Sequence, residues 1–193
     1  LKFGVKEIIV AGGYKIIHIK KYFKKNKKKY PNVEIVNTGL NSLTGLRIFK
    51  LKKFFEKGEN FYLTYGDGVS NVNIKKLYKY HLKNKKICTL TAVRPPARFG
   101  ELKLKNNKVI DFNEKPQLNQ GWINGGFFVM NYKIFKFLGK KNSMLEREPM
   151  QKLLKSKNIN AYKHKAFWMC MDTLRDKINL EKIIKKKMNL INK

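Results

Sequence analysis

Apolar positions in this chain fall into short blocks whose spacing switches between that of strands and that of helices. "VKEIIVAGGY" is a brief apolar run ending in glycines, the pattern of a buried strand. From Lys15 to Lys29, Ile16, Ile19, Tyr22 and Phe23 recur at helical spacing beneath a lysine-rich outer face. "VEIVNTG" reads as a second strand and turn. Leu46 to Glu56 is helical again, with Leu46, Phe49, Phe54 and Phe55 set among lysines. "NFYLTYGDG" gives a third strand, "NIKKLYKYHLKN" a helix, and "ICTLTAV" a strand rich in β-branched residues. "GELKLKNNKVIDFNEKP" alternates about an Asn-Asn turn and predicts a hairpin. "NGGFFVMN" is a further strand. Ser143 and Glu146 have capping-box spacing for a helix through about Leu154. "DTLRDKINLEKIIKKK" is a last amphipathic helix.

Strands alternate with helices through the first half and a hairpin enters later. The pattern predicts an α/β fold, Rossmann-like, with a mixed, mostly parallel sheet flanked by helices. No repeat, linker or shift in composition divides the 193 residues, so a single domain over 1–193 is expected.

Composition changes this picture in one respect. The formal charge is +31, from 44 basic residues against 13 acidic ones. Only Arg47, Arg94, Arg98, Arg147 and Arg175 are arginines, so the charge is carried by lysine. One reading is a polyanion-binding surface for nucleic acid; the other is a solvated lysine face. The scarcity of Arg, the better base reader, favours the second. A general positive field would still draw in phosphorylated small molecules. Cys88 and Cys170 sit in apolar or aromatic surroundings and read as buried free thiols of a reducing cytoplasm. His18, His81 and His164 are scattered, and no Cys/His group has zinc-site spacing. No apolar stretch approaches the length of a membrane span and no signal peptide is visible.

In so basic a chain, "YLTYGDGVS" is an anomaly: Asp67 stands between Gly66 and Gly68 at the end of an apolar run. It could be an ordinary Asp-Gly turn, or an acid held where open α/β sheets bind ligands, with glycines that let the backbone turn sharply. "NTGLNSLTGLR", "NEKP" followed by "INGG", and "MDTLRD" are likewise polar and glycine-rich where a core would not need them. If these strand ends share one rim, Asp67 and Asp172 can meet there with Lys115 nearby. Two carboxylates would hold Mg²⁺ together with substrate phosphates, and a lysine would neutralise a phosphate as a point charge. Asp172 has a plainer alternative as a helix N-cap. Phe167 and Trp168 could line a pocket or simply fill the core.

The segments "GYKIIHIKKYF", "VNTGLNSLTGLR", "LTYGDGVSNVNI", "TLTAVRPPARFGEL", "FNEKPQ", "INGGFFVMN", "LEREP" and "FWMCMDTLRDKINLE" together resemble the sugar-phosphate nucleotidyltransferases, and among them the glucose-1-phosphate cytidylyltransferases. The resemblance runs in family order over nearly the whole chain. It implies the nucleotide-diphospho-sugar transferase fold. It also implies attack of a sugar 1-phosphate on the α-phosphorus of a nucleoside triphosphate, with CTP and glucose 1-phosphate as substrates and CDP-glucose for surface polysaccharides as product. It implies that Asp67 and Asp172 hold Mg²⁺, with Asp67, Asp172 and Lys115 the catalytic set. Glu114 and Lys115 would bind the sugar phosphate, and Asn124 and Gly125 would line the sugar pocket. Thr38, Ser42, Thr44, Arg47 and Gly66 would complete the substrate site, with Ser42, Thr44 and Arg47 nearest the cytosine and ribose.

Three departures accompany the resemblance. The family's opening strand, its "GGxGTR" loop and its "KPKP" segment have no counterpart after Leu1, so an N-terminal part is expected to be missing and the chain to turn over little. Leu46 stands where the family has glycine in "TGGR". Phe23 and Thr38 are fifteen positions apart, with no room for the insertion some cytidylyltransferases carry there. A non-catalytic nucleotide- or sugar-phosphate-binding homologue and a lysine-rich nucleic-acid binder are the alternatives. No membrane partner is expected, and a homo-oligomer stays open.

Overall fold

The computed structural model of the chain describes residues 3–95, 101–113 and 121–191. They fall into two compact units, bounded as Leu1–Phe61, Tyr78–Thr89 and Val129–Asn160 for the first, and Tyr62–Leu77, Leu90–Phe128 and Ala161–Lys193 for the second. Along the chain run β1 (Ile8–Gly12), α1 (Ile16–Lys25), β2 (Val33–Asn37), α2 (Thr44–Lys50), β3 (Asn60–Thr64), β4 (Gly68–Ser70), α3 (Ile74–Asn84) and β5 (Cys88–Val93). There follow β6 (Glu101–Lys105), β7 (Lys108–Asn113), β8 (Ile123–Asn131), α4 (Glu148–Lys155), β9 (Ile159–His164), β10 (Trp168–Cys170) and α5 (Leu174–Ile191). β3, β8, β5 and β9 are hydrogen-bonded in that order into the central sheet, which is mixed, mostly parallel and flanked by helices. β1 and β2 form a separate parallel pair, in register from Ile8–Val33 to Gly12–Asn37. β4 pairs with β10, and β6 with β7, as antiparallel ribbons. Among the described residues no helix is long and apolar enough to cross a membrane.

In the first unit α1 and α2 are shorter than their apolar spacing predicts. α1 stops at Lys25, where Asn26 returns both its backbone N–H and its side-chain amide to the Tyr22 carbonyl. Tyr30 then folds back beside Tyr22 and Phe23, with ring centroids 6.4 and 5.6 Å away. α2 begins earlier than expected, at Thr44, and gives way to a 3-10 turn at Lys52–Phe54. That turn releases Phe55 into extended backbone, where its ring stacks on Phe61 at 4.1 Å and lies 6.0 Å from Phe135. Phe61 and Phe135 are themselves 5.9 Å apart and both buried. The aromatic trio joins Ile48, Leu51, Ile134, Leu138, Leu145 and Leu153 in the core of this unit. The capping box expected at Ser143–Glu146 does not form. Glu146 instead accepts a hydrogen bond from the Thr44 hydroxyl at 2.8 Å, and α4 starts at Glu148, with Pro149 in its first turn.

In the second unit, Asn106 and Asn107 form the hairpin turn, both left-handed at φ 47° and 64°, as a two-residue turn of this hand requires. α5 is capped by Thr173 and Asp176. The Thr173 hydroxyl accepts from the Asp176 N–H at 3.2 Å, and the Asp176 carboxylate accepts from the Thr173 N–H at 3.0 Å. The N-cap is thus Thr173, which frees Asp172 from the plainer of its two roles.

The aromatic trio predicts where the first unit is most sensitive. Phe135→Ala should lower the unfolding free energy, read by urea denaturation, by about 3–5 kcal/mol. Tyr22→Ala, at a ring-bearing residue that is 53% exposed, should cost less than about 1 kcal/mol. Equal losses from the two would contradict this assignment of the core.

Candidate active site

Asp67 and Asp172 are brought together by a short antiparallel ribbon. β4 and β10 pair Ser70 with Trp168, Val69 with Met169 and Gly68 with Cys170. The ladder continues one step beyond both strands, where the Met171 N–H donates to the Asp67 carbonyl at 3.0 Å. Asp67 and Met171 are therefore opposed, and Asp172 is the next residue along. The ribbon is anchored at its far end as well. The Ser70 hydroxyl donates to the Phe167 carbonyl at 2.8 Å and lies 3.2 Å from Nε2 of His164. The sequence pointed to neighbouring parallel strand ends sharing a rim; the two acids meet instead through antiparallel pairing that the β9–β10 segment supplies.

A third side chain joins them. Cys170 and Asp172 are two residues apart in extended backbone, a spacing that puts side chains on one face. Ligand atoms of Asp67, Cys170 and Asp172 all lie within 4.8 Å of one another. The Cys170 thiol donates to Asp172 Oδ1 at 2.9 Å. Burial, this bond, and the charges of Asp67 and Asp172 push the thiol up to about 12. At neutral pH it is therefore an S–H donor. The cluster offers a hard cation two carboxylates and a neutral hydrogen-bond donor that orients one of them, which suits Mg²⁺ better than a thiolate-seeking metal. Cys170 is thus no inert core thiol. Its signal in the sequence was the Cys-Met-Asp spacing, masked by an aromatic neighbourhood that reads as core. Cys88 is the buried thiol expected, also held up at about 12 by its burial.

The glycine-rich stretch of β8 lies beside this ribbon. Trp168 donates its indole N–H to the Gly125 carbonyl at 2.7 Å, so this tryptophan positions the strand that carries the predicted sugar-pocket residues. A Cβ on Gly125 would come within 2.7 Å of Val93 and 3.0 Å of the Thr91 carbonyl, so only glycine fits so close to β5. Gly126 is left-handed at φ 75°. The exposed Asn124 accepts from the Gly126 N–H at 3.0 Å. Gly66 and Gly68 behave otherwise than the sequence suggested. Neither has positive φ, and a Cβ on Gly66 would meet open space. What Gly66 provides beside Asp67 is room.

Thr38, Ser42, Thr44 and Arg47 belong to the first unit, where they knit one loop together. The buried Thr38 hydroxyl donates to the Gly12 carbonyl at 2.8 Å and accepts from Arg47 at 2.7 Å. Arg47 also donates to the carbonyls of Gly12 and Leu40, at 3.2 and 3.3 Å. The Ser42 hydroxyl donates to the Thr38 carbonyl and accepts from Lys50 Nζ at 2.9 Å. Leu46 lies within α2 and does not need the left-handed backbone that a glycine would allow. Glu114 and Lys115 lie outside the described residues.

The model of the nucleotidyl transferase family matches residues 1–185. The chain is 37% identical to the glucose-1-phosphate cytidylyltransferase of Salmonella typhimurium, over 92% of this chain and 77% of that protein. It is 33% identical to the probable glucose-1-phosphate cytidylyltransferase of Bacillus subtilis, over 94% of this chain and 79% of that protein. Among solved structures, HddC from Yersinia pseudotuberculosis is similar with a TM-score of 0.68 at 22% identity, covering 92% of this chain and 78% of that one. The structural likeness gives the nucleotide-diphospho-sugar transferase fold, and the sequence likeness extends across nearly the whole chain. The chain belongs to the nucleotidyl transferase family and is a nucleotidyltransferase.

Proposed function

We propose that the chain transfers the cytidylyl group of CTP to glucose 1-phosphate, releasing pyrophosphate and forming CDP-glucose. The observation that carries this reading is the convergence of Asp67 and Asp172, with Cys170, on one point of a chain with few other acids. The names of the relatives at 37% and 33% identity support the choice of base and sugar. Held by the two carboxylates, Mg²⁺ would neutralise charge on the α-phosphate as the sugar phosphate attacks and pyrophosphate leaves.

The chain's own residues position rather than react, as this chemistry asks. The Met171 N–H fixes the backbone beside Asp67, and the Cys170 S–H fixes Oδ1 of Asp172. Trp168 holds the Gly125 carbonyl, and with it the Asn124–Gly125 segment assigned to the sugar. Glu114 and Lys115 take the sugar phosphate, Lys115 as a point charge. The loop that carries Ser42, Thr44 and Arg47 takes the nucleotide. Arg47 spends its guanidinium on the Gly12 and Leu40 carbonyls and the Thr38 hydroxyl, so its part is to hold that loop in shape. The large positive charge favours encounter with anionic substrates.

Calorimetry with CDP-glucose tests the assignment. Saturable binding is expected in Mg²⁺, weakened at least tenfold by EDTA and by Asp67→Asn or Asp172→Asn. UDP-glucose and GDP-mannose should bind at least tenfold more weakly. Equal binding of all three would remove the cytosine assignment, and indifference to Mg²⁺ and to both substitutions would remove the metal site. Forward pyrophosphate release is expected to be slow, since the chain is expected to turn over little, and any release should require CTP, glucose 1-phosphate and Mg²⁺ together.

The raised Cys170 thiol gives a second test. Iodoacetamide reacts with thiolate, which is scarce at pH 8 for a thiol pushed up to about 12. Asp67→Asn removes one of the charges that raise it, so more thiolate forms at the same pH. Alkylation of Cys170, read by peptide mass spectrometry, should then quicken several-fold while Cys88 stays unreactive. An unchanged rate would show that the Asp67 charge does not act on the thiol.

A further inference from the structure

The start of α2 carries the loop assigned to the nucleotide, and it is not capped in the usual way. Leu43 stands at the N-cap and makes no side-chain cap hydrogen bond. The first N–H groups of a helix still need acceptors. Here they come from residues 142–146, far along the chain. The Gly45 N–H donates to the Ser143 carbonyl at 3.0 Å. The Leu43 N–H donates to the Asn142 side-chain carbonyl at 2.8 Å, and the Asn142 NH₂ donates back to the Asn41 carbonyl at 2.9 Å. One carboxamide therefore grips the loop backbone on both sides of Ser42. The Thr44 hydroxyl accepts from the Leu145 N–H at 2.8 Å and donates to Glu146 at 2.8 Å.

Two features make this contact firm. Leu145 is fully buried, and the Met150 N–H bonds to its carbonyl at 3.1 Å as the chain enters α4. Residues 142–146 are thus anchored in the core of the first unit. Gly45 supplies the other feature. It is buried and has no positive φ, so its backbone does not need glycine. A Cβ there would come within 2.7 Å of the Ser143 carbonyl, so glycine is what lets the two segments approach.

We propose, on the reading that loop 38–47 takes the nucleotide, that residues 142–146 are its positioning element, with Asn142 and Glu146 as the positioning residues. They act on the nucleotide through the loop. The Thr44 hydroxyl, with both a donor and an acceptor supplied by this segment, serves the contact rather than the ligand. A loop held in its binding shape before the ligand arrives loses less freedom on binding. The coupling runs both ways, so a bound nucleotide steadies residues 142–146 in return.

Hydrogen–deuterium exchange, read by peptide mass spectrometry with and without CMP, tests this. CMP is the nucleotide part of CDP-glucose. In the unsubstituted chain it should slow exchange in residues 41–46 and, through them, in residues 142–147. The Asn142→Ala/Glu146→Ala double variant should exchange faster in residues 41–46, with α3 and β5 unchanged. Calorimetry should show its CMP binding weakened at least tenfold. Glu146→Gln keeps an amide oxygen for the Thr44 hydroxyl and should bind CMP nearly as well as the unsubstituted chain. Full CMP affinity in the double variant would overturn the proposal. So would an equal loss in Glu146→Gln, or protection by CMP that stops at residues 41–46. An unsubstituted chain that binds no CMP would overturn the cytidylyl reading and this proposal together, whereas those three outcomes leave the cytidylyl reading standing.

Discussion

The Met171 N–H to Asp67 carbonyl hydrogen bond is the contact on which the catalytic reading depends. It extends the β4–β10 ribbon by one step and sets two residues that are over a hundred positions apart side by side. Both carboxylates are exposed, and the ribbon holds these like charges close to one another. In the proposed reaction a divalent cation held between them would offset the repulsion of two like charges. The Cys170 thiol eases the repulsion from another direction, by donating to Asp172 a proton that the same two acids keep on the sulfur.

The elements legible in the sequence were those whose stability is local. β5 was readable from "ICTLTAV", α3 from its apolar spacing, and the β6–β7 hairpin from Asn106-Asn107. Helix ends were less so, because partners distant in sequence decide them. Phe55 leaves helical backbone to reach Phe61 and Phe135, and Glu146 turns from a capping role to the hydroxyl of Thr44, 102 positions away. β9 and β10 were missed outright. "INAYKHKAFWMC" interrupts its apolar residues with lysines and histidine, and its pairing with β4 carries no local signature.

The site was partly legible for the same reason. Glycine-flanked Asp67 stood out in so basic a chain, and "MDTLRD" marked a helix start. Thr173 and Asp176 then proved to be the cap, leaving Asp172 to the cluster. The topology expected to unite the acids was wrong in kind: an antiparallel ribbon unites them rather than a row of parallel strand ends. Cys170 was hidden because a cysteine between two methionines reads as packing, and only coordinates show that its sulfur faces a carboxylate. Trp168 resolves in the opposite direction. Its indole N–H serves the Gly125 carbonyl, so it is neither purely core nor purely pocket wall.

The family assignment and the geometry of the acids are independent lines, one from motifs spread along the chain and one from a single ribbon. They meet in the claim that Asp67 and Asp172 share one divalent ion. The most direct measurement is anomalous diffraction from crystals grown with CDP-glucose and Mn²⁺. The account predicts a manganese peak within coordination distance of a carboxylate oxygen of both Asp67 and Asp172, with phosphate oxygens of the ligand completing the shell. A bound nucleotide sugar with no ion between these carboxylates, or with manganese held elsewhere, would contradict it.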